Sequence, residues 1–172
     1  MDDISWLRKV EKEKLIELLL MHIRCLWTVD GLYFIGIEEK FGTSVAKEID
    51  ENVWSTMGKI EARKLKKTLN IVSEGIDALF EGLRASSWSL DLEKKEIIVE
   101  KDKLTFINKD CRVQKTRISK GLSEFPCKNV RFGFLKAFAK EFSQNINVNC
   151  IVCPPDKHTD EIWCKWEFVY RV

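Results

Sequence analysis

The chain has 172 residues, of which 45% are hydrophobic and 33% are charged, and 29 Lys and Arg nearly balance 27 Asp and Glu. Because these charges are spread along the whole length, the composition argues against a nucleic-acid-binding surface. The length predicts a single domain with a helical half, residues 1–85, and a sheet-rich half, residues 86–172.

The start of the chain predicts a cytoplasmic protein. Met1, Asp2 and Asp3 lack the positive charge of a secretory leader, and no apolar run approaches the length that spans a bilayer, so we expect no membrane contact. Without an export signal, the six cysteines are expected to be reduced thiols or metal ligands and not disulfides.

The first half carries the apolar periodicity of amphipathic helices. Asp30 is placed to cap one of these helices and Gly42 to end it. The predicted helices cover residues 4–27, 30–41, 46–69 and 71–84.

From Ser86 onward, apolar residues alternate with polar residues, which predicts an antiparallel meander. The predicted strands lie near residues 88–92, 97–99, 104–106 and 111–113, and a helix over 129–143 is followed by strands over 148–153 and 163–170. Short turns between neighbouring strands make this an α+β fold with an antiparallel sheet.

A group of soft ligands near the C-terminus predicts a metal site. Cys150, Cys153, His158 and Cys164 are separated by two, four and five residues, and zinc or iron would bind such thiolates and imidazole. An alternative stays open, because the β-branched residues between Cys150 and Cys153 favour an extended chain in which the two thiols point to opposite faces. Cys164 alternates with Trp166, as a buried core thiol would.

The same region predicts catalytic residues. Asp156, oriented by His158, is a candidate base beside a cysteine nucleophile, and Cys127 is the candidate nucleophile; the alternative is a polar hairpin loop. Six tryptophans are expected to fill the core, with one or two of them lining a ligand pocket or a dimer face.

A set of short segments spread over nearly the whole chain carries a family resemblance: residues 26–34, 38–42, 49–54, 111–117, 121, 125–127, 153–156 and 163–168. In these segments the chain resembles a domain-of-unknown-function family of small archaeal and bacterial cytosolic proteins. More distantly, Cys111, Asp156 and Cys164 are similar in placement to residues of the L-2-amino-thiazoline-4-carboxylic acid hydrolase-like family and of 4-vinyl reductase domains. That resemblance implies an α+β sensor or hydrolase fold whose small-molecule pocket faces the sheet.

Two functions follow as hypotheses. The first is a cytosolic, hydrolase-like protein that binds a small molecule or a metal and whose site is built from Cys127, Asp156 and the four candidate metal ligands. The second is a non-catalytic ligand-sensing or interaction module that forms a homodimer through its helical half and whose cysteines are structural.

Overall fold

The computed structural model describes residues 3–171 and contains seven helices and four strands within them. The helices are α1 Asp3–Leu7, α2 Lys12–Phe41, α3 Thr43–Thr68, α4 Ile76–Arg84, α5 Ser87–Asp91, α6 Arg112–Ser119 and α7 Lys128–Lys140. The strands are β1 Lys95–Glu100, β2 Lys103–Asn108, β3 Ile146–Val152 and β4 Cys164–Tyr170. The predicted α+β class is confirmed.

The first two predicted helices are largely one helix, α2, which continues through Asp30 to Phe41. Asp30 lies inside α2 and therefore does not cap a helix. Its carboxylate instead accepts a 2.9 Å hydrogen bond from Trp54 Nε1 on α3. The corner at Gly42 is where the sequence places it, and its φ of 84° is a conformation that glycine adopts without strain. α2 and α3 therefore form an antiparallel pair joined by a single residue.

The sheet is antiparallel throughout and has the strand order β1-β2-β4-β3. Two predicted strands are wrong: residues 88–92 lie mainly in α5 and residues 111–113 lie at the start of α6. The Ser86 side chain accepts a hydrogen bond from the Ser89 N–H and so caps α5, while Trp88 stacks on Phe106 of β2. Three alternating apolar residues also fit a short helix, so the pattern alone does not separate the two structures.

The core lies between α7, α3 and the sheet. α7 places Phe134 and Phe138 on one face, and these fully buried rings continue into Phe142. On the other side of α7, Gly58 of α3 lies against the backbone of Phe134. α7 thus packs between the helical half and the sheet, and this packing fixes the position of its first turn.

α2 is exposed along much of its length. It has 30 residues, and its most apolar window of 18 residues has a mean hydropathy of 1.4 and is 17% buried, so by length and composition it could cross a membrane. The prediction that no apolar run approaches such a length is therefore corrected. It treated α2 as two shorter helices that meet near Asp30, so neither part was long enough to span a bilayer. Trp27 and Phe34 are buried in the core and Arg24 Nε lies 2.9 Å from Asp91, so α2 is also packed into the folded domain.

Candidate functional site

A β-bulge brings Cys150 and Cys153 together. The register between β3 and β4 shifts between Cys150 and Val152, so the strict alternation expected of an extended strand is broken there. The chain leaves the strand at Cys153, which is fully buried, while Cys150 is partly exposed. The alternative left open by the sequence, an extended chain with the two thiols on opposite faces, does not describe this turn, because the Cys150 and Cys153 side chains interact.

Four thiols meet around Cys153. Its sulfur lies 3.5 Å from that of Cys127, and its side chain also interacts with those of Cys150 and Cys164. Its interaction with the Cys127 thiol, and then with those of Cys150 and Cys164, raises the pKa of Cys153, so this thiol keeps its proton. Cys127 is the thiol that lies within hydrogen-bond distance of it.

Cys127 directly precedes α7 and forms its N-cap. Gln114 Nε2 lies 3.6 Å from the Cys127 sulfur and donates to it, while the Gln114 side chain is held by two hydrogen bonds to the Phe125 backbone. The hydrogen bond from Cys153 lowers the pKa of Cys127; burial opposes this effect, and the charge of Arg131 reinforces it. The dipole of a helix start also favours a thiolate.

Asp156 lies outside this group of thiols. Both of its carboxylate oxygens accept from Lys128 Nζ, at 3.0 and 2.9 Å, and one accepts from the Cys153 N–H at 3.4 Å. The hydrogen bond from Lys128 holds the pKa of Asp156 below its ordinary value. Its predicted role as a base stays a prediction, and in this geometry it orients the turn that carries Cys153.

His158 is directed towards a different set of residues. Its Nε2 lies 3.2 Å from Glu124, its Nδ1 lies 3.0 Å from the Thr159 carbonyl oxygen, and its ring packs on Trp163. Burial disfavours the charged imidazole, but the hydrogen bonds to Thr159 and Glu124 outweigh it and raise the pKa of His158.

The predicted zinc or iron ligands are therefore only partly brought together. Cys150 and Cys164 meet at Cys153, while His158 binds Glu124. Within residues 3–171, no group of three or more His, Cys, Asp and Glu side chains is arranged to hold a metal ion. The metal site stays a prediction.

Three of these four thiols, together with Cys111, border a cavity of about 60 Å³, which we call the thiol pocket. It is lined by three tryptophans, four cysteines, three aspartates and two arginines, together with apolar and amide side chains: Trp27, Trp54, Trp88, Cys111, Cys127, Cys153, Cys164, Asp30, Asp50, Asp91, Arg112 and Arg131. A second cavity, of about 120 Å³, shares six lining residues with it and extends towards Lys120 of α6. Apolar walls with a few convergent polar groups are typical of small-molecule sites.

The three aspartates of the thiol pocket, Asp30, Asp50 and Asp91, were not among the predicted site residues. Burial raises the pKa of Asp50 to about 7, and the neighbouring Asp30 carboxylate adds to the shift. Burial also raises the pKa of Asp30. The signal available in the sequence was Asp50, a carboxylate among the apolar residues of the predicted helix over 46–69.

Cys111 lines the same pocket but differs from Cys127 in reactivity. Burial raises its pKa to about 12, so the Cys111 thiol is neutral near pH 7. The pocket thus combines the neutral thiols of Cys111 and Cys153 with the thiol of Cys127, whose pKa is lowered.

These features define an α+β protein with a thiol-lined pocket between its helices and its sheet. The chain belongs to a family of unknown function, DUF6125, which it matches over residues 8–170. This confirms the predicted membership in a family without an assigned function, while the more distant resemblance to the hydrolase-like and 4-vinyl reductase families stays a prediction.

No curated protein matches the chain. Among solved structures, it is similar to a trafficking protein particle complex subunit 3 from Naegleria fowleri covalently bound to palmitic acid, with 12% identity and a TM-score of 0.49 over 94% of this chain and 98% of that one.

Proposed function

We propose that this protein binds a small molecule in the thiol pocket and that Cys127 acts there as a nucleophile, as in a thiol-dependent hydrolase. The observation that carries the proposal is the environment of the Cys127 sulfur: it opens onto the pocket and receives hydrogen bonds from Cys153 and Gln114 at the start of α7. The thiolate is the reactive form of cysteine, and donors and a helix start both stabilise it.

The chemistry of such a site is acyl transfer. The Cys127 thiolate would attack an acyl carbon, and the leaving group would depart with its bonding electron pair. Water would then hydrolyse the thioester, which releases the carboxylic acid and restores the Cys127 thiolate. The remaining proton from water would go to the leaving group. Asp50 is the pocket carboxylate best suited to act as a general base, because burial raises its pKa to about 7, which suits proton transfer at neutral pH. Burial raises the pKa of Asp30 as well.

Alkylation kinetics test the nucleophile. In protein carrying Cys25→Ser, which removes the exposed thiol of α2, we expect Cys127 to react with iodoacetamide about tenfold faster at pH 7 in the folded than in the urea-unfolded chain. Mass spectrometry of peptides assigns the modified cysteine, and the rate against pH should give a midpoint below that of an ordinary thiol.

Two substitutions at Cys153 separate the hydrogen bond from packing. Cys153→Ser keeps a donor beside Cys127, whereas Cys153→Ala removes it, so we expect the midpoint to rise only in the alanine variant. An acetyl adduct on Cys127, formed from the small acyl donor S-methyl thioacetate, detected by mass spectrometry and lost in Cys127→Ser, would support acyl transfer. Equal alkylation rates in folded and unfolded protein would overturn the proposal, as would stoichiometric zinc or iron that is bound by Cys127 and lost on Cys150→Ser.

A second candidate function, a homodimeric interaction module, is favoured by one surface. We call it the α2–α3 face; its members are all apolar and are between 39% and 71% exposed: Leu19, Leu26, Val29 and Tyr33 of α2 and Ile49, Val53 and Ile60 of α3. A groove of about 360 Å³ runs along it. Monomeric proteins rarely expose contiguous apolar patches larger than a few hundred Å².

A second copy of the chain is the proposed occupant of this face. Leu19, Leu26 and Tyr33 recur every seven residues and Val29 lies between them, which is the spacing of a helix seam that packs on another helix. A two-fold axis would place the same seam on both partners and cover both apolar faces at once.

Sedimentation equilibrium tests this surface. We expect a dimer at concentrations up to about 100 μM, a range that detects affinities near 1 μM, and a monomer for Val29→Lys and Val53→Lys. Val72→Lys is the matched control, since Val72 is 93% exposed and lies between α3 and α4. A monomeric wild-type protein, or a dimer that withstands both lysines, would contradict the module.

A further inference from the structure

Arg131 is a cation whose surroundings are mainly aromatic. It lies in the first turn of α7, and its guanidinium carbon is 4.6 Å from the ring centre of Trp88, 5.2 Å from that of Trp27 and 5.9 Å from that of Trp54. Guanidinium groups stack favourably on aromatic faces. These contacts orient the group but do not neutralise it.

Within residues 3–171, no carboxylate lies within ion-pair distance of this guanidinium. Its Nη1 is buried and has no hydrogen-bond partner. The nearest acids act on it only through their electrostatic field, and two of them are engaged elsewhere: Asp30 accepts from Trp54, and Glu61 accepts from the Ser87 N–H. Although Arg131 as a whole is only partly buried, a buried Nη1 without a hydrogen-bond partner is costly, and a ligand that supplies an acceptor would relieve that cost.

The pocket geometry places this cation beside the nucleophile. The Arg131 N–H donates to the Cys127 carbonyl oxygen at 2.8 Å, so the two residues lie one helical turn apart. Side chains four residues apart lie on the same helix face, with Cβ atoms about 5–6 Å from each other. Both side chains line the thiol pocket.

We infer, on the basis of the proposed function, that the ligand is a small monocarboxylate whose carboxylate group binds Arg131. The planar guanidinium fork matches a carboxylate through two parallel hydrogen bonds. A dianion such as phosphate is disfavoured, because Asp30, Asp50 and Asp91 line the same cavity and would repel its second charge. The cavities of about 60 and 120 Å³ limit the ligand to a few heavy atoms.

Binding of propionate, measured by tryptophan fluorescence and saturation-transfer NMR, tests the inference. In the Cys127→Ser protein we expect propionate to bind about tenfold more tightly than propionamide or inorganic phosphate. Only propionate has a carboxylate with a single negative charge that can accept two parallel hydrogen bonds from the guanidinium. Working in that variant keeps the two proposals separable, since carboxylate binding does not need the nucleophile.

Arg131→Gln should weaken propionate binding by about tenfold or more, and Arg131→Lys should recover only part of it. Arg112→Gln is the comparison, because Arg112 lines the same pocket but is paired with Asp91 at 3.2 Å. Urea unfolding at each substitution verifies that the variants are folded. Equal affinity for propionate and propionamide, or a larger loss at Arg112 than at Arg131, would overturn the assignment while leaving the reactivity of Cys127 intact.

Discussion

Replacing Gly58 with alanine is expected to destabilise the protein by about 1–3 kcal/mol, a typical cost of forcing extra volume into a packed contact. A Cβ atom at this position would lie 2.4 Å from the Phe134 carbonyl oxygen and 3.2 Å from its Cα. The clashing atoms are backbone atoms, so no side chain can rotate away and α3 must separate from α7. Urea unfolding monitored by circular dichroism measures the loss.

Gly31 and Gly36 on α2 provide matched controls, because a Cβ atom added to either meets nothing within 4 Å. Alanine favours the helix over glycine by about 0.5–1 kcal/mol, so Gly31→Ala and Gly36→Ala should stabilise the protein slightly. If the free energy of unfolding falls in Gly58→Ala and rises in Gly31→Ala and Gly36→Ala, then close helix contact, and not helix propensity, decides the effect at Gly58. A Gly58→Ala protein as stable as the wild type would contradict the α3–α7 packing.

Much of the fold could be predicted from the sequence, because its long elements carry clear periods. The corner at Gly42 and helix α7 follow from spacing alone, and the structure confirms them. The packed face of α3 does not follow, because the apolar residues Ile49, Val53 and Ile60 are exposed, while the buried residues of α3 are Ala46, Asp50, Trp54, Gly58 and Ala62. Other errors are the division of α2 at Asp30 and short segments such as residues 88–92, where three alternating apolar residues fit a strand or a helical turn equally well. There, a cap at Ser86 and the stacking of Trp88 on Phe106 decide the structure.

The candidate site was predictable only in part, since its members come together through tertiary structure. Cys150, Cys153 and Cys164 lie close in sequence, but a β-bulge determines that they meet, and Cys127 joins them from the start of α7. Arg131 could be placed by its spacing of four from Cys127, yet nothing local indicates that its guanidinium lacks a carboxylate partner. Such absences are properties of the packed molecule and not of a motif.

Replacing Asp50 with asparagine is expected to raise the free energy of unfolding at pH 8 by up to about 4 kcal/mol. Burial raises the pKa of Asp50 from 3.8 to about 7, with a further contribution from the charge of Asp30. Between these two pH values the folded state holds a proton that the unfolded chain has lost, so the free energy of unfolding falls as the pH rises through this window. A shift of about three pKa units corresponds to about 4 kcal/mol, fully lost above pH 7.

The stabilising effect of Asp50→Asn should therefore be large at pH 8 and small at pH 4, where Asp50 is protonated in the folded wild-type protein. Urea unfolding at a series of pH values gives the difference between variant and wild type, in which the contributions of other titrating groups largely cancel. Glu48→Gln removes an exposed acid from the same helix and should give a small difference at every pH. If Asp50→Asn gave a pH-independent difference, the carboxyl would be ionised in the folded protein throughout the range, and the desolvated setting of the thiol pocket beside α3 would be refuted.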